Sequence, residues 1–221
     1  MKGIAFLSGL ISGLVALGVI LPAPAQITSD GTTNTKVNQN ANNFNILNGI
    51  QKGNNLFHSF DKFSIKKGGE ATFNNSTDVV NIINRVTGGN ISNINGLIKA
   101  NGSANLFLIN PAGIVFGENA RLNIGGSFFG STAESILFED GFEFRAVNPQ
   151  QKPLLTISVP VGLQMGKNPG AIEVNGSGHN LIAQDATASP YINLGSANFL
   201  QVNENQILAL VGGDIQLNGA I

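Results

Sequence analysis

Apolar and polar residues alternate in short segments along the chain, and this alternation predicts β-strands rather than helices. The pattern Gly-x-Ile-x-apolar-Asn-Gly stands at residues 96–102, 170–176 and 213–219, with a looser copy at 120–125. At a period of two, the isoleucine and the aliphatic residue after it face one side. The polar residue between them faces the other side, so each copy is predicted to be a short strand with one buried face.

The residues after these strands predict corners rather than hairpin tips. Asn-Gly after an alternating strand is ordinarily a strong hairpin signal, which would favour an antiparallel sandwich. Here residues 103–105 and 177–180 intervene before any matching strand begins. Short strands separated by corners favour a solenoid, in which each coil stacks on the one before. Stacking would also bring asparagine side chains of successive coils together in ladders.

The spacing of the copies predicts that the solenoid is interrupted. The three full copies begin 74 and then 43 residues apart, which is not a fixed period. Residues 131–160 are the best candidate for an interruption, because acidic residues alternate there with phenylalanines. They are Glu134, Glu139, Asp140 and Glu143, interleaved with Phe138, Phe142 and Phe144. We expect this segment to form a hairpin on the side of the solenoid, and residues 26–50 to form an N-terminal cap over its open edge.

The composition supports an all-β chain. The sequence contains 30 asparagines and 28 glycines, the residue types that most readily adopt left-handed backbone conformations in tight turns. Because 42% of the residues are hydrophobic as well, the chain needs many turns between many short apolar segments. That combination is typical of all-β folds and disfavours a helix-rich one.

The N-terminus has the three parts of a secretory signal peptide. Met1-Lys2 is basic, residues 3–21 are apolar, and Ala23-Pro24-Ala25 is a small-residue cleavage site. A transmembrane anchor is the alternative, since the apolar run approaches the roughly 18–20 residues that span a bilayer. Glycines and serines dilute the run and no basic cluster follows it. We therefore expect residues 1–25 to be removed after Ala25, which leaves residues 26–221 as one exported domain.

Charge and cysteine content narrow the function further. The net charge is −1, and only 11% of the residues are charged. A nucleic-acid-binding protein would carry a basic stripe, whereas Lys62, Lys66 and Lys67 are the nearest approach to one and are expected in a solvated turn. We therefore expect no nucleic acid as a partner. The chain has no cysteine, which suits a protein that crosses a membrane unfolded, because no disulfide closes a loop before passage.

One segment resembles a known family. Residues 105–117 read Asn-Leu-Phe-Leu-Ile-Asn-Pro-Ala-Gly-Ile-Val-Phe-Gly. They resemble the signature of the filamentous haemagglutinin N-terminal domain, the secretion domain of two-partner-secretion (TpsA) exoproteins. The family motif Asn-Pro-Asn-Gly-Ile stands here as Asn110, Pro111, Ala112, Gly113 and Ile114. The flanking segments 80–89, 120–127 and 206–215 are similar as well, and the general character is nearest to cyanobacterial members.

The resemblance extends over residues 26–221, with two departures from the family pattern. Ala112 stands where the family motif has its second asparagine. A further family motif, Asn-Pro-Asn-Leu, has no match in the corresponding residues 90–97. The chain also stops at residues 218–221, just inside what resembles another coil, so we expect a fragment, a split gene or a truncated exoprotein.

The resemblance implies both a fold and a function. The implied fold is all-β, a right-handed parallel β-helix (a single-stranded solenoid) with an N-terminal cap and extra-helical hairpins. The implied partner is an outer-membrane transporter of the TpsB/Omp85 type, which recognises the chain in the periplasm through its POTRA domains. The chain then crosses the pore unfolded and folds outside, in the medium or at the cell surface. Two roles stay open for residues 110–114, namely direct contact with the transporter or a corner between core strands 105–109 and 114–116.

Two other functions are weighed against secretion. A free-standing adhesin that binds cell-surface ligands is compatible with the same fold. A polysaccharide-active β-helix enzyme would need paired carboxylates or clustered aspartates. The six aspartates are instead scattered, at Asp30, Asp61, Asp78, Asp140, Asp185 and Asp214. His58 and His179 lack metal-ligand spacing, so we expect no enzyme activity, no catalytic residue, no cofactor and no metal site.

Overall fold

The structure is a computed structural model that describes residues 26–149, 155–178, 181–183, 191–193 and 200–219. The described residues form strands, turns and bends without any helix, so none of them belongs to a helix that could cross a membrane. The predicted signal peptide, His179 and Asp185 lie outside the described residues. The expected all-β class is therefore confirmed.

The strands are numbered in chain order. The first eleven are β1 Ile27–Ser29, β2 Thr35–Asn40, β3 Asn43–Asn48, β4 Ile50–Lys52, β5 Asn55–Phe63, β6 Glu70–Phe73, β7 Asn81–Val86, β8 Ser92–Ile94, β9 Leu97–Ala100, β10 Asn105–Ile109 and β11 Ile114–Phe116. The others are β12 Arg121–Asn123, β13 Phe128–Ser131, β14 Ser135–Phe138, β15 Glu143–Arg145, β16 Pro160–Gln164, β17 Ile172–Asn175, β18 Leu181–Ala183, β19 Tyr191–Asn193, β20 Leu208–Val211 and β21 Ile215–Asn218.

Three sheets wrap around one core and build a β-solenoid. The first sheet runs β1-β5-β7-β10-β13-β20, the second runs β21-β17-β11-β8, and the third runs β12-β9-β6-β3-β2. Residues 55–73, 81–100 and 105–123 form three successive coils, each of which visits the three sheets in turn. Strands of successive coils pair in parallel. The predicted parallel β-helix is confirmed, and the antiparallel sandwich is wrong.

The repeated sequence pattern falls on two different sheets. In the second sheet β17 and β21 stack in register, with Ile172 opposite Ile215 and Asn175 opposite Asn218. The copy at residues 96–102 supplies β9, which lies in the third sheet on β12 from the looser copy. The spacing of 74 residues between the first two full copies is therefore not a repeat length, because those copies occupy different faces.

The interior of the coils is apolar, whereas a column of asparagines runs along the first sheet. Buried aliphatic and phenylalanine side chains from all three sheets form one continuous core. In the asparagine column, Asn81 Nδ2 donates to Asn55 Oδ1 at 2.9 Å, and Asn105 Nδ2 donates to Asn81 Oδ1 at 3.1 Å. The predicted asparagine ladder between coils is thereby confirmed.

A three-stranded antiparallel sheet, ordered β15-β14-β16, interrupts the solenoid as predicted. It covers the outer face of the first sheet, where Phe57 lies 5.1 Å from Phe144 and 5.8 Å from Phe138 between ring centroids. These side chains belong to a second buried cluster, separate from the solenoid core. The interruption extends to Gln164, beyond the predicted end at Pro160, because β16 completes the sheet.

The N-terminal cap is also confirmed. Strand β1 pairs antiparallel with β5, and β2 forms a hairpin with β3, which then pairs in parallel with β6. The second strand of the cap hairpin, β3, is therefore the strand on which the first coil stacks. The prediction for the lysines is right for Lys66 and Lys67, which are exposed in a turn, but Lys62 lies within β5.

A buried arginine joins the cap, the coils and the extra-helical sheet. Arg85 is 1% exposed, and its guanidinium donates to Ser59 Oγ at 2.7 Å, to Thr32 Oγ1 at 2.9 Å and to the carbonyl of Arg145 at 2.6 Å. Its Cζ also lies 4.3 Å from the centroid of the Phe144 ring. Burial lowers the pKa of Arg85 to about 10, although the negative charge of Asp30 raises it in part. The guanidinium therefore stays protonated near neutral pH.

His58 makes the fold sensitive to acid. The imidazole is 1% exposed and its Nδ1 lies 2.9 Å from Thr35 Oγ1. Burial lowers the pKa of His58 from 6.5 to about 3, so the unfolded chain binds a proton in this interval that the folded chain excludes. The free energy of unfolding therefore falls as the pH drops from 6.5 towards 3.

We expect the exclusion of this proton from His58 to lower the free energy of unfolding by about 2 kcal/mol at pH 4.5 relative to pH 7. The measurement is urea denaturation of the wild type and of His58→Gln at both pH values. The carboxylates titrate in both proteins, so the difference between the two losses isolates His58. Equal losses in the two proteins would contradict the assignment.

Candidate functional site

Residues 110–113 form the corner between the first and second sheets. Strand β10 ends at Ile109 and β11 begins at Ile114, which are the strand bounds predicted for the flanks of the motif. The Asn110 amide donates to the carbonyl of Ser131 at 2.8 Å, continuing the hydrogen bonds of the first sheet for one more residue. The first residue of the corner is therefore still hydrogen-bonded to the next coil.

The corner is a β-turn held by one backbone hydrogen bond and one side-chain hydrogen bond. The Gly113 amide donates to the Asn110 carbonyl at 3.1 Å, and the Ala112 amide donates to Asn110 Oδ1 at 3.0 Å. The positive φ of 129° falls on Gly113, whereas Ala112 is outside the left-handed region. This pattern excludes a type II turn and fits a type I turn, which prefers asparagine first, proline second and glycine fourth.

The Asn110 side chain is fully buried and reaches into the preceding coil. Its Nδ2 donates to the Asn90 carbonyl at 2.9 Å and to Ser92 Oγ at 2.9 Å. Together with the bond to Ala112, both amide protons and the carbonyl oxygen have partners within the protein. In the folded domain the Asn110 side chain is therefore a structural bridge between coils and is closed to a partner protein.

The other motif residues are bonded to the following coil. The Pro111 carbonyl accepts from the Gly170 amide at 2.9 Å, and the Ile114 amide donates to the Ala171 carbonyl at 3.0 Å. A Cβ at Gly113 would lie 3.2 Å from the same Ala171 oxygen, so a side chain there meets both crowding and an unfavourable φ. The motif therefore ties together three layers of the solenoid.

The surface of the corner is small and apolar. Pro111 and Ala112 are half-buried, and Ile91 beside them is 49% exposed. The Ile91 side chain packs over Gly113, with its Cγ1 3.5 Å from the position of a Cβ there. A partner that contacts the folded corner would meet these aliphatic groups, whereas Asn110 and Ile114 lie beneath them.

Most acidic residues of the extra-helical sheet lie at its surface. Glu139, Asp140 and Glu143 are exposed, and Glu143 pairs with Arg145 at 3.0 Å. Asp140 accepts a hydrogen bond from Thr156, which holds the pKa of its carboxyl below its usual value. Across the described ranges, no set of three or more His, Cys, Asp or Glu side chains is placed to hold a metal ion.

Asp30 is the described carboxylate with the most hydrogen-bond partners, and its role is structural. Its Oδ2 accepts from Ser59 Oγ at 2.6 Å and from Thr87 Oγ1 at 2.8 Å, which joins the cap to the first two coils. Burial raises the pKa of Asp30, but the hydrogen bonds from Ser59, Thr32 and Thr87 outweigh it and hold the pKa below its usual value.

We expect Asn110→Ala to lower the free energy of unfolding by about 2–3 kcal/mol, because it leaves the Asn90 carbonyl, Ser92 Oγ and the Ala112 amide without their partner. The measurement is urea denaturation followed by circular dichroism. Asn93→Ala is the control, since Asn93 is exposed in the neighbouring strand and its side chain makes no described hydrogen bond. A loss as small as that of the control would contradict the bridging role of Asn110.

The fold and the corner define a class of protein, namely a parallel β-solenoid domain whose coils are joined by backbone and asparagine hydrogen bonds. The TPS secretion domain model matches residues 25–221. The chain belongs to this family, which comprises the N-terminal secretion modules of two-partner-secreted proteins and is not a family of enzymes.

Among curated proteins, the chain is similar to a heme/hemopexin-binding protein of Haemophilus influenzae, with 39% identity over 72 residues. The matched segment is 33% of this chain and 7% of that relative. The match thus spans a small fraction of the length of the relative.

Proposed function

We propose that this domain is the secretion signal by which a transporter selects an exoprotein for export across the outer membrane. Residues 1–25 direct the chain to the periplasm and are removed after Ala25. The remaining chain is recognised by the POTRA domains of a TpsB-type transporter, crosses the pore unfolded and folds outside. The match of the TPS secretion domain model over residues 25–221 carries this proposal.

The architecture supports folding outside the cell as a means of retaining the exported chain. Each coil pairs its strands with the coil before it, and the cap supplies the first template at β3. The chain contains no cysteine, so passage in an extended state needs no reduction. Once formed, the coils bury one continuous apolar core, which opposes return through the pore.

Within this proposal, the secretion motif at residues 110–114 acts through folding. Asn110 is buried and has all its hydrogen-bond partners inside the domain, so its replacement weakens the folded state that retains the chain outside the cell. The unfolded chain, in which the motif is accessible, is bound through its extended backbone and apolar residues, as in strand addition to a sheet edge.

The test measures two properties of the mature chain, namely its affinity for the purified periplasmic domains of its transporter and its export. Binding is measured with the chain held unfolded in dilute urea, and export with the folded protein in the medium. Asn84→Ala is the matched variant, because Asn84 is also fully buried and donates to the Phe107 carbonyl at 2.8 Å.

We expect Asn110→Ala and Asn84→Ala to bind the periplasmic domains as the wild type does, and to lose export in proportion to their lost stability. Loss of binding in Asn110→Ala alone would show that the transporter reads the motif directly. Absence of binding by the wild-type chain would overturn recognition by the transporter altogether.

A further inference from the structure

Three aliphatic side chains beside the extra-helical sheet face solvent in an unusual row. Ile157, Val159 and Val161 stand at alternate positions and are 76%, 58% and 62% exposed. Ile157 lies in a bend before β16, and Val161 is the unpaired residue at the bulge of β16, so these side chains are grouped by their exposure and proximity in sequence. β-Branched side chains in and beside strands ordinarily pack against neighbours. Here the row, which we call the 157–161 ridge, is left uncovered.

The ridge is held in place by hydrogen bonds from the residues around it. Asn55 Nδ2 donates to the Ser158 carbonyl at 2.7 Å, and the Glu139 amide donates to the Val159 carbonyl at 3.0 Å. Thr156 donates to Asp140 and accepts from the Ser158 amide at 2.9 Å. The backbone is thus anchored to the first coil and to the extra-helical sheet while its aliphatic side chains project outward.

The strand that ends the ridge has an open edge. Strand β16 pairs with β14 on one side, and no other strand in the described part of the chain pairs with it. Edge strands are normally protected by charged side chains, especially lysine. Residues 155–164 contain no charged residue, and the protection is limited to Pro160 and the bulge beside it.

Negative charge borders the ridge. The backbone bond from Glu139 to Val159 places this glutamate beside the row, and Asp140 is tied to Thr156 at its start. Both acidic residues are exposed. A second copy of the chain would bring the same charges against them, whereas a basic partner would be attracted.

We propose that β16 and the 157–161 ridge form a docking surface for an extended segment of another protein, with aliphatic residues at alternate positions and lysine or arginine between or beside them. The segment adds a strand to the open edge of β16, where its backbone supplies hydrogen bonds. Its aliphatic row packs on the ridge, and its basic groups face Glu139 and Asp140. This surface exists only in the folded domain and does not depend on recognition by the transporter.

The test uses a fluorescein-labelled synthetic peptide of alternating lysine and valine, and a second peptide in which glutamate replaces lysine. Binding to the mature chain is followed by fluorescence anisotropy. The variant is Val161→Lys, which places a charge on the ridge. Its control is Val80→Lys, because Val80 is an exposed valine (46%) outside the ridge. Circular dichroism confirms that both variants fold.

We expect the lysine peptide to bind the wild type and Val80→Lys equally, and Val161→Lys at least about tenfold more weakly. The glutamate peptide should bind the wild type at least about tenfold more weakly than the lysine peptide does. Equal binding of the two peptides, equal affinity of the two variants, or no binding to the wild type would each overturn the proposal. Dimerisation of the wild type that Val161→Lys abolishes would overturn it in favour of a second copy.

Discussion

Replacing Arg85 with methionine should lower the free energy of unfolding by about 3–5 kcal/mol, a typical cost of removing one member of a buried charged network. Methionine keeps the apolar stem but removes every donor of the guanidinium. Ser59, Thr32 and the Arg145 carbonyl would each lose a hydrogen bond, and the half-buried Asp30 would lose its nearby positive charge. Guanidinium chloride denaturation measures the loss.

Arg145→Met is the matched control for this prediction. The Arg145 side chain is 47% exposed and pairs with Glu143 on the surface, so its loss should cost less than about 1 kcal/mol. Hydrogen exchange adds a second readout, since the cap strands β1 and β2 should lose protection in Arg85→Met. Similar stabilities of the two variants would contradict the role of Arg85 in joining the cap to the extra-helical sheet.

Gly125→Ala should push two neighbouring corners apart. We expect it to lower the free energy of unfolding by about 3 kcal/mol or more, the upper range for overpacking a close contact. A Cβ at Gly125 would lie 2.1 Å from the carbonyl oxygen of Gly102 in the coil before it. The neighbour is backbone, so no side-chain rotation relieves the clash, and the two corners must move apart. Thermal denaturation of the purified domain measures the effect.

Gly162→Ala controls for the general effect of adding a methyl group. Its nearest neighbour is the Leu137 side chain at 3.6 Å, an ordinary contact, and its φ is not in the left-handed region. We expect a change within about 0.5 kcal/mol. If Gly125→Ala were equally mild, the corners would be looser than the stacked coils require.

Much of the fold could be predicted because local patterns determine it. The motif at residues 110–114 indicated a corner between strands 105–109 and 114–116, and Asn-Gly without a following strand indicated corners elsewhere. The phenylalanines among acidic residues at 131–160 indicated a hairpin on the side of the solenoid. The structure has a three-stranded sheet there, in which Phe138 and Phe144 are buried while Glu139 is exposed. Each of these signals lies within a few residues of the structure that it predicts.

Other features depend on contacts between distant segments and could not be predicted in the same way. Arg85 is a lone charge in an apolar strand, which signals a buried partner, but Thr32 and Arg145 are 53 and 60 residues away in sequence. Similar sequence copies at 96–102 and 170–176 fall on different sheets, because the corners between them decide the face. The burial of Asn110 likewise depends on Ser92, in the preceding coil.

The most direct test of the proposed function is export of a reporter fused after Ile221, in cells with and without the cognate TpsB-type transporter. We predict that the reporter reaches the medium only when the transporter is present, and that the exported protein begins at Gln26. Equal amounts of reporter in the medium of cells with and without the transporter would contradict the role of this domain as a secretion signal.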